Sequence, residues 1–144
     1  METERQLSLK PVHRSKIMIV DDDPAIRQAL NLRLRANNYE IVSASDGYSA
    51  LALAQKERPD LILLDLGLPA GDGFAVLNNL QQFPTLSLIP VIVLTARDPQ
   101  ANESRSLKSG AVAFFQKPAD NEELLSVVRI CLAAGHSFGR RLPS

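Results

Sequence analysis

The chain has 144 residues, with sixteen basic side chains balanced by sixteen acidic ones. That length suits one domain, and the balance excludes a net field drawing it to nucleic acid or an anionic membrane. Hydrophobic content of 45% and charged content of 22% are those of an ordinary globular protein. No apolar run approaches the roughly 18–20 residues that cross a bilayer. The first residues lack the apolar stretch of a secretory signal, and one cysteine, Cys131, excludes an internal disulfide framework. A cytoplasmic location is the expectation.

Residues 1–15 are polar and aperiodic, which predicts an arm. Lys16-Ile-Met-Ile-Val20 reads as a strand running into Asp21-Asp22-Asp23-Pro24, with Asp23 as N-cap and Pro24 opening the first helix. Ile26, Ala29, Leu30 and Leu34 follow helical spacing until Asn37-Asn38. Tyr39 to Ala44 is a less apolar second strand, expected nearer an edge. Asp46-Gly47 opens a helix with Ala50, Leu51 and Ala54 inward, ending before Pro59.

Asp60-Leu-Ile-Leu-Leu-Asp65 carries the third strand. Four apolar residues bounded by turn signals describe a strand buried on both faces. Such a strand should end in core, yet this one ends on Asp65. Asp72 can cap a third helix burying Phe74, Leu77 and Leu80. Pro90 to Leu94 is a fourth strand ending on Thr95-Ala96, and Asp98-Pro99 repeats the cap-and-proline signal. The helix after it offers mainly Ala101 and Leu107 as inward residues, so its docking should be weak; Gly110 ends it. Ala111 to Phe115 is a fifth strand, followed by Gln116-Lys117-Pro118. Asp120 with Glu123 resembles a capping box. Leu124, Val127, Val128, Cys131 and Leu132 then mark an amphipathic helix, and residues 135–144 read as a tail. Five strands alternating with five helices give an α/β fold with parallel pairing.

If the first and third strands are neighbours, Asp21, Asp22 and Asp65 crowd one pocket. Like charges so close raise each other's pKa unless a cation relieves them. Carboxylates with a backbone carbonyl suit Mg²⁺. The plainer reading, that these acids only cap the first helix, is accepted for Asp23. Thr95 ends the fourth strand and Lys117 follows the fifth, so both can reach the same edge, offering a hydroxyl donor and a positive charge to an anionic phosphoryl group.

Together these residues resemble the receiver domain of bacterial two-component response regulators. The matching pieces are Val20-Asp21-Asp22, Asp65-Leu-Gly-Leu-Pro69 before Gly71-Asp72-Gly73, Leu94-Thr95-Ala96, and Phe114-Phe-Gln-Lys117-Pro118. They cover about residues 16–134. The resemblance implies a flavodoxin-like doubly wound sheet of order 2-1-3-4-5 flanked by five helices. It implies Asp65 as phosphoacceptor, supplied by a histidine kinase or phosphotransfer protein. Asp22, Asp65 and the carbonyl of Gly67 would ligate Mg²⁺ directly, with Asp21 acting through water. Lys117 would meet the phosphoryl oxygens across a cis Lys117-Pro118 bond. Thr95 and Phe114 would be the switch pair for a surface of the fourth helix, fifth strand and fifth helix that binds a downstream protein.

The chain departs from the family's pattern at several positions. The switch ring is Phe114, without a hydroxyl, and Ala119 stands where Phe is common. Ala113 and Val127 stand where the winged-helix subfamily places an acid and an arginine that bridge dimers. Two other functions bear weighing. One is a receiver fragment of a larger regulator with a DNA-binding or enzymatic output domain. The other is a Mg²⁺-dependent phosphohydrolase, against which Gly67 counts, since such enzymes place an acid/base Asp there. Turnover of outside substrates is therefore not expected. His13 and His136 have no acid or cysteine near them in sequence to complete a ligand set, and Arg140-Arg141 is too little for a nucleic-acid surface.

Overall fold

Residues of both parities are apolar along the central strands, and this decides the architecture. The computed structural model describes residues 13–69 and 73–141, the last seven as backbone only. The strands are β1 (Lys16–Val20), β2 (Glu40–Ala44), β3 (Leu61–Leu64), β4 (Val91–Thr95) and β5 (Ala113–Gln116). All pair in parallel, in the order 2-1-3-4-5, so the expected flavodoxin-like doubly wound sheet is the observed one. The helices are α1 (Pro24–Ala36), α2 (Gly47–Glu57), α3 (Gly73–Gln81), α4 (Pro99–Lys108) and α5 (Asn121–Arg141).

Met18, Val20, Ile62, Leu64, Val91 and Val93 share one face with Ala50 and Ala54 of α2 and Phe74, Leu77 and Leu80 of α3. Ile17, Ile19, Leu61, Leu63, Ile92 and Leu94 share the other with Leu34 of α1 and Leu124, Leu125, Val128 and Leu132 of α5. Each such Leu or Ile, fully buried, is worth roughly 1.5–3 kcal/mol. β2 lies at an edge, as its weaker apolar pattern requires. The strand order reverses between β1 and β3, and their carboxyl ends therefore flank the crevice where open α/β sheets bind ligands.

Aspartates set the helix starts. Asp23 accepts from the Ala25 N–H at 2.9 Å, Asp46 from Ser49 at 2.8 Å, and Asp98 from Gln100 at 3.2 Å. Asp120 accepts from Glu122 at 2.8 Å. Each cap contributes about 1 kcal/mol. The proposed cap Asp72 and residues 1–12 of the expected arm at 1–15 lie outside the described residues. Gly110 has φ +114°, a left-handed geometry that favours glycine, directly after the Ser109 C-cap.

Three expectations need correction. Ala101 and Leu107 do not face inward on α4; both are exposed, Leu107 at 44%. The inward face is instead Ser106 with half-buried Asn102 one turn earlier. Ser106 can be buried because its hydroxyl donates to the Asn102 carbonyl at 2.7 Å. The fifth strand begins at Ala113 rather than Ala111. The last helix does not give way to a tail at residue 135 but continues to Arg141. Two glycines cost a helix only about 1 kcal/mol each, and no proline intervenes before Pro143.

Gly73, at the start of α3, sets a steric test. A Cβ there would lie 2.5 Å from the Asp65 carbonyl oxygen and 2.5 Å from the Leu66 Cα. Both are main-chain atoms, so neither can swing aside. Gly73→Ala is expected to destabilise by about 2 kcal/mol or more, read from the urea midpoint. An unobstructed helix position would show the opposite sign. Wild-type stability in this variant would mean that α3 does not sit so close to the Asp65 loop.

Candidate functional site

Three hydrogen bonds extend the sheet ladders one residue past the strands. The Asp21 N–H donates to the Ala44 carbonyl at 3.1 Å, and the Asp65 N–H to the Val20 carbonyl at 2.9 Å. The Lys117 N–H donates to the Thr95 carbonyl at 2.8 Å. The sheet itself therefore fixes the main chain of Asp21, Asp65 and Lys117 at its carboxyl edge. Their side chains meet there. The Lys117 Nζ donates to Asp21 Oδ2 at 2.6 Å and to Asp65 Oδ2 at 3.3 Å. The Lys117-Pro118 bond is cis, as the resemblance implied.

Each acid has a further anchor. Asp21 Oδ1 accepts from the Asp23 N–H at 2.9 Å, and Asp65 Oδ1 from the Gly67 N–H at 3.1 Å. Asp21 is 2% exposed and Asp65 7%, while Asp22 faces solvent. One carboxylate oxygen from each of Asp21, Asp22 and Asp65 lies within 4.8 Å of the others. This all-oxygen set, buried on two sides and open at Asp22, fits a hard divalent cation such as Mg²⁺ better than a softer metal.

Burial raises the Asp21 carboxyl above its ordinary range, outweighing the hydrogen bond from Lys117. For Lys117 burial works to lower the ammonium's pKa, but the hydrogen bond and charge of Asp21, joined by Asp65, overcome it and hold it above normal. Among the described residues, the Lys117 ammonium pairs with two of the three acids, Asp21 and Asp65.

Thr95 is 1% exposed, and its hydroxyl oxygen accepts from the Arg97 N–H at 3.3 Å. Phe114 is half-buried, in register with Val93, and packs against the core on the α2–α3 face. Gly67 is exposed beside Asp65. An apolar groove of about 520 Å³ adjoins Lys117, walled by Ile26, Leu30, Leu94, Pro118, Ala119 and Leu124. His13 lies elsewhere, in a charged recess with Lys16, Glu40, Glu57 and Asp60 at the opposite edge of the sheet. Cys131 is half-buried, and burial pushes its thiol pKa up, as packing would. The side chain of His136 is outside the described set.

Two arginines make contacts that the sequence does not signal. Arg27 on α1 donates through Nη1 to the Asp21 carbonyl at 2.7 Å. Arg105 on α4 places its guanidinium carbon 3.7 Å from the centroid of the Phe74 ring on α3. No spacing rule announces either contact, because both depend on long side chains reaching main chain or ring on another element.

A family model for the response regulator receiver domain matches residues 17–129. The chain belongs to this family. The receiver domain is 42% identical over 115 residues to response regulator PleD of Caulobacter vibrioides, covering 80% of this chain and 25% of PleD. It is 33% identical over 119 residues to protein PilH of Pseudomonas aeruginosa, covering 83% of this chain and 98% of PilH. The chain thus spans a quarter of the length of one relative and nearly all of another. Among solved structures, the receiver domain of sensor histidine kinase PA1611 from Pseudomonas aeruginosa PAO1 superposes with a TM-score of 0.78 at 26% identity. The match covers 84% of this chain and 99% of that one, which has a magnesium ion coordinated in its active site cleft. The family places this receiver domain in signalling rather than metabolic chemistry. Among the described residues, no helix is long and apolar enough to cross a membrane.

Proposed function

We propose that this receiver domain is a cytoplasmic phosphoacceptor switch. Asp65 takes a phosphoryl group from a phosphohistidine on a histidine kinase or phosphotransfer protein. The observation that carries this reading is the position of Asp65 between a cation-competent group of carboxylates and the Lys117 ammonium, 3.3 Å away. A carboxylate oxygen of Asp65 attacks phosphorus, the bond from phosphorus to imidazole nitrogen breaks, and the imidazole leaves with the electron pair. Lys117 pairs with the phosphoryl oxygens. Thr95 supplies a hydrogen bond, since its contact with Arg97 uses the oxygen and leaves the hydroxyl proton to donate. Asp22, Asp65 and the Gly67 carbonyl are the proposed direct ligands of Mg²⁺, with Asp21 acting through water. The bound ion supplies the charge neutralisation that phosphoryl transfer chiefly needs.

Incubation with acetyl phosphate and Mg²⁺ tests the reading against a hydrolase. One phosphoryl group per chain is expected. Continuous release of phosphate with no phosphoprotein would favour the hydrolase. The quarter coverage of PleD supports a second reading of context, in which this receiver serves a longer regulator with a DNA-binding or enzymatic output domain.

In the proposed switch, Thr95 moves toward the phosphoryl group and vacates space for the Phe114 ring. The surface of α4, β5 and α5 then changes for a downstream protein. Of the two helices, α4 should respond first. It buries only Ser106, whereas α5 buries Leu124, Leu125, Val128 and Leu132. It also follows Thr95 by only three intervening residues. Amides of residues 100–108 should exchange faster than those of 122–132 at rest and change most with a phosphate mimic. Equal protection of both helices, unaltered by the mimic, would refute this order.

A further inference from the structure

The phosphoacceptor reading gives Arg27 no task, yet Arg27 reaches the site. Its contact with the Asp21 carbonyl, at 2.7 Å, is a hydrogen bond from a charged donor. It closes on a stretch there that no ladder holds. The Asp21 N–H still belongs to the sheet, and Asp23 already caps α1. Between them, the peptide joining Asp21 to Asp22 is fixed from one side by Arg27 and braced by the Asp23 N–H on Asp21 Oδ1. The orientation of that peptide sets where the exposed Asp22 carboxylate points.

We propose that Arg27 is a positioning residue, a guanidinium tether that holds the Asp21–Asp22 peptide so that the Asp22 carboxylate stands ready for a divalent cation. The proposal rests on the reading of these acids as a cation site. Asp22 is the group most in need of such support, being the only exposed member of the three. Tether and charge have opposite consequences. A guanidinium near the acids repels a cation, so if its charge were all that mattered, removing it would tighten binding. If it is a tether, removing it leaves Asp22 to be ordered during binding, and affinity falls.

The test uses the full chain with Arg27→Gln and Arg27→Lys. Calorimetric titration with Mg²⁺ alone should show about tenfold weaker binding for Arg27→Gln, the lower end of what outer partners of metal ligands contribute. Arg27→Lys keeps a charged donor of different shape and should recover part of the affinity. In metal-free protein, ¹⁵N relaxation should show lower order at the amides of Asp22 and Asp23 in Arg27→Gln, with the strand amides unchanged. Mg²⁺ binding by Arg27→Gln as tight as wild type or tighter, or unaltered order at those amides, would overturn the proposal. Should Arg27→Gln fail to fold, the same two readings on Arg27→Lys decide, with weaker binding and lower order expected relative to wild type. A wild type that binds no Mg²⁺ overturns the cation site itself, and the proposal with it; the metal-free relaxation then shows whether the tether exists without that purpose.

Discussion

Asp65→Asn is expected to abolish phosphoryl incorporation from acetyl phosphate while leaving the sheet intact. The amide is close to isosteric with the carboxylate, and its oxygen can still accept from the Gly67 N–H that Asp65 now engages. It cannot act as the nucleophile, because a neutral amide oxygen lacks the charge that attacks phosphorus. Stability should move the other way. Three carboxylates crowd together here and Lys117 pairs with two of them, so deleting one negative charge relieves repulsion among them. Without Mg²⁺ the variant should be more stable by on the order of 1 kcal/mol, and added Mg²⁺ should stabilise it less than wild type. Intact mass after acetyl phosphate treatment and urea titrations with and without Mg²⁺ measure both effects. Incorporation at the wild-type level would remove Asp65 from the centre of the reaction.

The framework of this site was legible because its residues follow strands that advertise themselves. β1, β3 and β4 are apolar at both parities, and so the polar residue ending each one stands out: Asp21, Asp65 and Thr95. Lys117 was legible by position after β5, although β5 is less buried and begins two residues after the apolar run does. What the pattern could not show is how polar groups dock. Counting apolar residues on α4 selected Ala101 and Leu107, because burial of Ser106 depends on its own hydroxyl satisfying a carbonyl one turn back. Leu107 lies about 100° around the helix from Ser106, so once the polar residue faces inward the leucine must face out. Arg27 and Arg105 were invisible for a related reason. Their contacts are made by the ends of flexible side chains with groups whose location only the tertiary fold supplies.

Lys117→Met should show how far the site depends on its single ammonium. Asp21 is almost wholly buried, and Lys117 is the cation on its Oδ2 at 2.6 Å. Met nearly matches the length of the lysine stem and removes the charge, which leaves Asp21 and Asp65 buried without their counter-charge. Breaking a buried pair from one side typically costs about 3–5 kcal/mol. The loss should depend on pH with a definite sign. Burial already raises the Asp21 carboxyl above its ordinary value. An acid so raised contributes stability below its unfolded pKa and loses it as pH rises through the folded pKa. Without Lys117 that folded value climbs further, so the deficit against wild type should be small in acid and grow toward neutral pH. At the alkaline end the wild type should lose its advantage, because Lys117 has a raised pKa and its contribution disappears as pH rises through it. Two additions should restore the variant at neutral pH. Asp21→Asn removes the stranded charge, so the double variant should recover most of the loss, and Mg²⁺ should stabilise Lys117→Met more than wild type. Urea midpoints for the four proteins of this cycle, at acid and neutral pH, give the comparison. A single variant within about 0.5 kcal/mol of wild type at neutral pH, the spread of ordinary surface substitutions, would show that Asp21 does not rely on Lys117 for its charge.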